Sequence, residues 1–365
     1  DPDRSVEQIL DPNVLTLGFA RRFTEYKRPN LLLHDPARLL ALLHDQHRPV
    51  QLVLAGKAHP DDRVGKALIS QWIRFIRHSG ARQRVVFLED YDITIAQELT
   101  QGVDVWLNTP RRRQEACGTS GMKVLVNGGL NLSIPDGWWA EAYDPRSGWV
   151  IPLSEAPTQE QRDAAEAESL YRLLETEIVP LFYARNADGI PAEWVARVRT
   201  SLRELAPFYS TNRMIREYLG TLYEPAMALF LRRNRAPQAT ATALEKWTRN
   251  LTQHWHEIRI GASTARRDGS RLQVTVPVTL GDVNPDGVSV EVYADAAGEL
   301  PALCRALQRG QPIPGTTNGF VYSAELDTAR PPGHITPRVV PNHADASIPL
   351  ELPLIHWAME PLTAA

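Results

Sequence analysis

The run Gln114-Glu115-Ala116-Cys117-Gly118-Thr119-Ser120-Gly121-Met122-Lys123 gathers small residues, hydroxyls and two glycines ahead of a lysine that enters an apolar helical pattern. A turn of this composition suits two kinds of chemistry. Its backbone N–H groups and hydroxyls can hold a phosphate where a helix begins, and Lys123 can carry a covalent aldehyde cofactor. A lysine in a helix is ordinarily a solvated surface residue. Here Gly118, Thr119, Ser120 and Gly121 supply a phosphate-holding turn directly before it. Val124, Leu125, Val126 and Leu130 predict a buried helix, in which an ammonium group needs a partner or a covalent bond.

A second cluster lies in Arg21-Arg22-Phe23-Thr24-Glu25-Tyr26-Lys27-Arg28. Cations at a predicted helix start oppose the positive end of the helix dipole, so Arg21, Arg22 and Lys27 together imply an anion to be neutralised. Glu115 alone would be an ordinary loop carboxylate. His59 reads as a rim or structural histidine, and Arg111-Arg112-Arg113 as a solvated loop. His254 and His256, two apart, face away from each other on a helix, so no metal site is expected there.

The elements that must position these residues alternate in type. Val14–Ala20 and Val50–Lys57 read as buried strands, each followed by a helical pattern: leucines from 31 to 43, then Val64, Leu68, Trp72, Phe75 and Ile76. Val85–Leu88 leads into a helix over Ile93–Leu99, and Val103–Leu107 into the loop and helix that carry Lys123. Continuous apolar strands alternating with amphipathic helices imply a parallel sheet covered on both faces, a Rossmann-like α/β domain. Ligands of such sheets bind beyond the carboxyl ends of the strands. Arg21, Arg22 and Lys27 follow the first strand, Lys57 and His59 the second, Glu89 to Tyr91 the third, and Glu115 to Gly121 the fourth. All fall on one rim. Beyond Thr158 the pattern is mainly helical, with Met214, Ile215, Tyr218, Leu219 and Leu222 as an apolar stripe. After Arg266 three alternating runs, Leu272–Val278, Val288–Tyr293 and Phe320–Glu325, predict a small antiparallel β-sandwich. The expected domains are residues 1–157, 158–262 and 263–365.

The chain has 365 residues, 43% hydrophobic and 23% charged, with a formal net charge of −3. That balance carries no electrostatic footprint for nucleic acid or an anionic membrane. No apolar run approaches a membrane span and no signal peptide precedes the first strand. Cys117 and Cys304 are too far apart in sequence and setting to suggest a disulfide framework, which favours a cytoplasmic protein. Asp1-Pro2-Asp3 is not an initiator sequence, and a strong strand pattern begins by Val14. The chain is expected to be part of a longer protein.

The Glu115–Lys123 turn and the Arg21–Arg28 segment together resemble the α-glucan (glycogen and maltodextrin) phosphorylases. Asn131-Leu132-Ser133 with Gly137-Trp138-Trp139-Ala140-Glu141-Ala142-Tyr143-Asp144 is similar to the bacterial type. The resemblance is specific from about Val14 to Ile151, weaker to about Met227, and vague beyond. It implies the C-terminal part of a GT-B fold: a Rossmann-like domain, a helical extension and a β-rich tail. It further implies that Lys123 holds pyridoxal 5'-phosphate as a Schiff base, with Arg21, Thr119, Ser120, Gly121 and Tyr91 around the cofactor. Arg22 and Lys27 would hold the substrate phosphate, and Glu115 with the Cys117 and Gly118 backbone would bind glucose hydroxyls. Many relatives have lysine at the position of Arg21. Animal enzymes carry serine where Cys117 stands and arginine where Asp92 follows Tyr91.

The reaction implied is attack of inorganic phosphate on the terminal glucose of an α-1,4-glucan, releasing glucose 1-phosphate with retained configuration. The cofactor's phosphate would serve as proton donor and acceptor. Two phosphates held close together require a cationic site rich in backbone donors. The GT-B resemblance puts the second wall of this cleft in an N-terminal half outside the chain, so the isolated chain is expected to be inactive. It admits a homo-oligomer. Two rivals are a nucleotide-sugar GT-B glycosyltransferase, which does not need the turn ending at Lys123, and a non-catalytic glucan-binding module built on the tail and Trp357.

Overall fold

The computed structural model describes residues 10–298 and 300–364; the opening Asp1-Pro2-Asp3 therefore lies outside the described residues. The chain divides into two compact units, the first ending at Arg216 and the second beginning at Glu217.

The first unit is built on β1 (Leu15–Ala20), β2 (Val50–Ala55), β3 (Val85–Leu88), β4 (Val105–Asn108), β5 (Leu130–Ser133) and β6 (Gly148–Val150). They form one parallel sheet in the order β3-β2-β1-β4-β5-β6. β1 and β2 are buried at every position. A strand covered on both faces cannot alternate apolar and polar residues, which is why both read as near-continuous apolar runs. The polar residues inside them are satisfied: Gln51 Nε2 donates to Thr16 Oγ1 at 2.7 Å, and Thr16 Oγ1 to Val14 O at 3.1 Å.

Three crossover helices begin with an aspartate cap, α1 (Pro36–Leu43), α2 (Arg63–His78) and α3 (Ile93–Gly102). The carboxylates of Asp35, Asp62 and Asp92 accept the N–H groups of Arg38, Gly65 and Ile95 at 2.8–3.0 Å. The leucine pattern from 31 to 43 is two elements rather than one helix: a 3-10 turn over Leu31–His34, then α1. Asp35 precedes Pro36, and a residue before proline is disfavoured in the helical region. α4 (Ser120–Val126) and α5 (Trp138–Ala142) follow β4 and β5. α6 (Gln159–Leu173) opens with a Thr158–Gln161 capping box. Buried Tyr171 on α6 donates to the carbonyls of Leu32 and Asp35, tying α6 to the start of α1.

β5 and β6 escape the sequence pattern. They are short, they include Asn131, Ser133 and Gly148, and each is a strand because its neighbour in the sheet supplies the ladder. The stripe Met214, Ile215, Tyr218, Leu219 and Leu222 is exposed, between 41% and 53%.

The second unit contains a helix over Pro237–His254 and two antiparallel-rich sheets. Its strands are β7 (Arg259–Ile260), β8 (Thr264–Asp268), β9 (Arg271–Thr279), β10 (Val288–Ala294), β11 (Leu303–Ala306), β12 (Gln308–Pro312), β13 (Gly319–Asp327), β14 (Thr336–Pro341), β15 (His356–Trp357) and β16 (Thr363–Ala364). One sheet has the order β11-β10-β14-β15; the other runs β12-β13-β9-β8-β16, with β7 paired to β9. Along β9, Leu272, Val274, Val276 and Val278 are buried while Gln273 and Thr275 are exposed. This is the alternation of a half-buried antiparallel strand. Among the described residues no helix is long and apolar enough to cross a membrane.

Candidate functional site

The strand order reverses direction between β1 and β4, the first and fourth strands of the chain. In open parallel sheets the connections on either side of such a point diverge and leave a crevice at the carboxyl ends. The residues leaving β1 and β4 meet there. Arg21 Nη2 lies 2.9 Å from Glu115 Oε1, and Lys27 Nζ lies 2.7 Å from Glu115 Oε2. The second guanidinium nitrogen of Arg21 donates to Asn108 Oδ1, the last residue of β4. All three charged side chains are nearly sealed from solvent, at 7%, 11% and 8% exposure.

Local geometry explains how a lysine comes to be buried. A 3-10 turn over Glu25–Lys27 ends at Arg28 in the left-handed region, φ 45°. Thr109, just after β4, donates its hydroxyl to the carbonyls of Lys27 and Arg28 at 3.1 Å. Arg28 returns hydrogen bonds to the carbonyls of Thr109 and Pro110. The same guanidinium pairs with Asp163 at 2.8 Å and Glu166 at 2.6 Å on α6. Asp163 also takes Arg111. Burial pushes the Asp163 carboxyl up, but hydrogen bonds from Arg28 and Gln159 and the charge of Arg111 hold it below the ordinary carboxylate range. A polar cavity of about 260 Å³, lined in part by Arg28, Arg111, Gln114, Arg162 and Glu166, adjoins the loop.

The turn itself is small by steric demand. A Cβ at Gly121 would lie 2.4 Å from Asn131 Oδ1 and 3.0 Å from Trp138 Nε1. Ser120 Oγ accepts the Trp106 indole N–H at 3.2 Å, which leaves its own proton for another acceptor. The helix after the turn is only half-buried. Val124 and Leu125 are buried, but Val126 is 60% exposed and Lys123 is exposed, with no hydrogen bond or ion pair to its ammonium among the described residues. Arg22 is likewise exposed, with no ion pair among the described residues. Tyr91 is half-buried beside the cluster of Ala20, Val53 and Trp106; burial raises its phenol pKa, with the nearby Arg21 charge acting the other way. Burial and the charges of Glu115 and Glu141 raise the Cys117 thiol. Lys57 pairs with Asp90 at 3.3 Å in an exposed contact, and His59 is exposed.

The structure thus joins Arg21, Lys27 and Glu115 in one network, while Arg22, Thr119 and Lys123 are exposed around it, their side chains without partners among the described residues. Residues not anticipated from the sequence complete it: Asn108, Asp136, Asn131 and the Arg28–Asp163–Glu166 group. Asn108 had a readable signal, a polar residue ending a buried apolar strand. The α6 carboxylates had none, because nothing local in α6 marks them as partners of a residue 135 positions earlier.

A positively charged, donor-rich crevice beside a turn that no bulkier residue could occupy suits an oxoanion. Residues 4–144 match the carbohydrate phosphorylase family and residues 255–359 the glycogen phosphorylase C-terminal domain. The chain is 43% identical over 364 residues to a glycogen phosphorylase of Mycobacterium bovis, covering 97% of this chain and 42% of the relative. It is 35% identical over 357 residues to a maltodextrin phosphorylase of Thermococcus litoralis, covering 95% and 42%. A glycogen phosphorylase of Aquifex aeolicus is 44% identical over 215 residues, covering 59% and 31%. The chain spans less than half the length of these curated relatives.

Proposed function

Because the chain belongs to the carbohydrate phosphorylase family, we propose that it forms the C-terminal part of a pyridoxal-phosphate-dependent α-1,4-glucan phosphorylase. The reaction is phosphorolysis of glycogen or maltodextrin to glucose 1-phosphate. The observation that carries this reading is the convergence of Arg21, Lys27 and Glu115 at the point where the strand order reverses, next to the turn that ends at Lys123. The order 3-2-1-4-5-6 supports a Rossmann-like assignment for the first unit, and through it a GT-B architecture. The two sheets of the second unit support a β-sandwich tail. The rest of the cleft would be supplied by polypeptide beyond these 365 residues, and the setting is a reducing cytosol, in keeping with two free cysteines.

The residues present fit the cofactor. Gly121 lets the turn pack closely against Asn131 and Trp138, the Thr119 and Ser120 hydroxyls are phosphate donors, and the exposed Lys123 amine has no competing partner among the described residues. When bound, pyridoxal phosphate supplies a phosphate group that exchanges a proton with the attacking phosphate. The chain's own residues set the charge around that exchange. Lys27 and Arg21, already desolvated, present fixed cations that need little reorganisation when an oxoanion arrives. Arg22 adds an exposed one. Glu115 neutralises the two buried cations until substrate enters, and then accepts hydrogen bonds from sugar hydroxyls, with the Cys117 and Gly118 N–H groups as donors beside it.

The test loads the full-length protein with pyridoxal phosphate, reduces it with borohydride and maps the modified peptide by mass spectrometry. The expected adduct is on Lys123, accompanied by glucose 1-phosphate production from maltodextrin and phosphate. An unmodified Lys123 in active, loaded enzyme refutes the assignment, and a nucleotide-sugar transferase would show neither adduct nor phosphorolysis.

A further inference from the structure

After β5 the chain turns through Ile134-Pro135-Asp136-Gly137 into α5. Asp136 is 8% exposed and forms no ion pair among the described residues. A buried carboxylate without a cation is tolerated when other donors satisfy it, and here they are two successive backbone N–H groups of the substrate loop. Asp136 Oδ2 accepts from Gln114 N at 3.1 Å and from Glu115 N at 2.9 Å. The next residues grip the same loop from the other side. Trp138 N donates to Cys117 O at 2.9 Å. Gly137 sits at φ 55°, and a Cβ there would come within 2.3 Å of Cys117 O, so only glycine permits the approach.

Beyond the Glu115 ion pairs, the Arg111–Asp163 pair, the Gln114 N–H to Arg111 O bond and the packing of Cys117, the gripped loop has few contacts. Arg112, Arg113, Gln114, Ala116 and Thr119 are exposed, so apolar packing does not select its conformation. The carboxylate of Glu115 must nevertheless stand between Arg21 and Lys27. We propose that Asp136 is a positioning residue for the reaction. By holding the amide planes at 114 and 115 it aims the Glu115 side chain, and with the Trp138 contact it aims the Cys117 and Gly118 N–H groups at the terminal glucosyl unit. The inference rests on the function proposed above for this loop. Asp136 touches neither substrate nor cofactor; its effect passes through Glu115. A displacement of about 1 Å in a substrate-positioning group is enough to cost on the order of 100-fold.

The experiment compares Asp136→Ala, Asp136→Asn and Asp136→Glu in the full-length, cofactor-loaded enzyme. Asp136→Ala is expected to raise KM for maltodextrin and for glucose 1-phosphate by roughly 10- to 100-fold, the loss of two hydrogen bonds to a charged acceptor, with bound pyridoxal phosphate unchanged. Asp136→Asn keeps an acceptor oxygen and should stay within a few-fold of wild type. Amide hydrogen exchange at Glu115, and to a lesser degree at Gln114, whose N–H also donates to Arg111 O at 3.1 Å, should accelerate in Asp136→Ala and not in Asp136→Asn. A folded Asp136→Ala enzyme with a lowered Tm but wild-type KM and exchange would overturn the proposal, as would Asp136→Asn impaired as severely as Asp136→Ala. If Asp136→Ala does not fold, Asp136→Glu decides: it keeps the carboxylate but displaces the acceptor by one methylene, so the same rise in KM is expected and a wild-type KM overturns the inference. Failure of the functional reading is distinguishable, because the wild-type enzyme would then lack phosphorolysis while exchange at 114 and 115 still reports whether Asp136 holds the loop.

Discussion

Replacing Glu115 by glutamine tests whether the crevice is built for an anion. In the native network one carboxylate serves Arg21 at 2.9 Å and Lys27 at 2.7 Å, with side-chain exposures of only 7% and 11% for the two cations. Removing the charge from one partner of a buried pair costs about 3–5 kcal/mol, because the remaining charge is left desolvated and uncompensated. The glutamine amide keeps one acceptor oxygen for two donors, so the lower end, about 3 kcal/mol, is expected. For a unit of this size that corresponds to a fall in Tm of roughly 6–12 °C. The same change leaves two cations without a resident anion. Phosphate should then bind more tightly to Glu115→Gln than to wild type, and at about 100 times its Kd it restores about 2.7 kcal/mol. The assay is thermal unfolding of both proteins across a phosphate titration, with chloride at matched ionic strength as control. The reasoning fails if the variant melts with wild type in phosphate-free buffer, or if chloride rescues it as well as phosphate does.

Arg22, exposed and unpaired among the described residues, is expected to matter for substrate and not for folding: Arg22→Ala in the full-length enzyme should raise KM for phosphate by roughly 10- to 100-fold, the worth of a charge-assisted hydrogen bond, with Tm and cofactor absorbance unchanged. Asp104 gives a pH-dependent test away from the rim. It borders a cavity of about 550 Å³ lined by apolar residues such as Val53, Leu88, Ile95 and Leu99, and burial raises its carboxyl pKa although its Oδ2 accepts Thr16 N–H at 2.8 Å. A carboxyl raised on folding contributes stability below its unfolded pKa and loses that contribution as pH rises through the raised folded value. Asp104→Asn, which keeps the acceptor, should therefore stabilise the protein at neutral pH, and the advantage should shrink towards zero below about pH 4; urea unfolding at both pH values measures it, and a pH-independent difference contradicts the assignment.

Much of this protein is legible in its sequence. β1, β2 and β9 follow from hydrophobic pattern alone, because full burial demands continuous apolar runs and half-burial demands alternation. The rim is legible for a related reason: chemistry-bearing residues such as Arg21 and Glu115 follow strands, and ligands of parallel sheets bind where strands end. The turn before Lys123 is local, so its composition could be read directly.

What the tertiary structure decided is which of those residues act together. Lys27 and Glu115 are 88 positions apart, and nothing in either segment favours the pairing over Lys27 with Glu25 or Glu115 with Arg113. They meet because β4 inserts beside β1, a choice made by packing the whole sheet. Lys123 shows the same limit from the other side. The apolar neighbours Val124 and Leu125 are buried as their pattern implies, but the helix is too short to cover its opposite face, and Lys123 with Val126 stands open. Asp136 could be recognised only as a turn residue, because its role lies in two backbone amides more than twenty positions upstream. Sequence pattern encodes burial, which each residue experiences with its near neighbours; a site is a set of distances between residues far apart in the chain, and those exist only once the strands are in order.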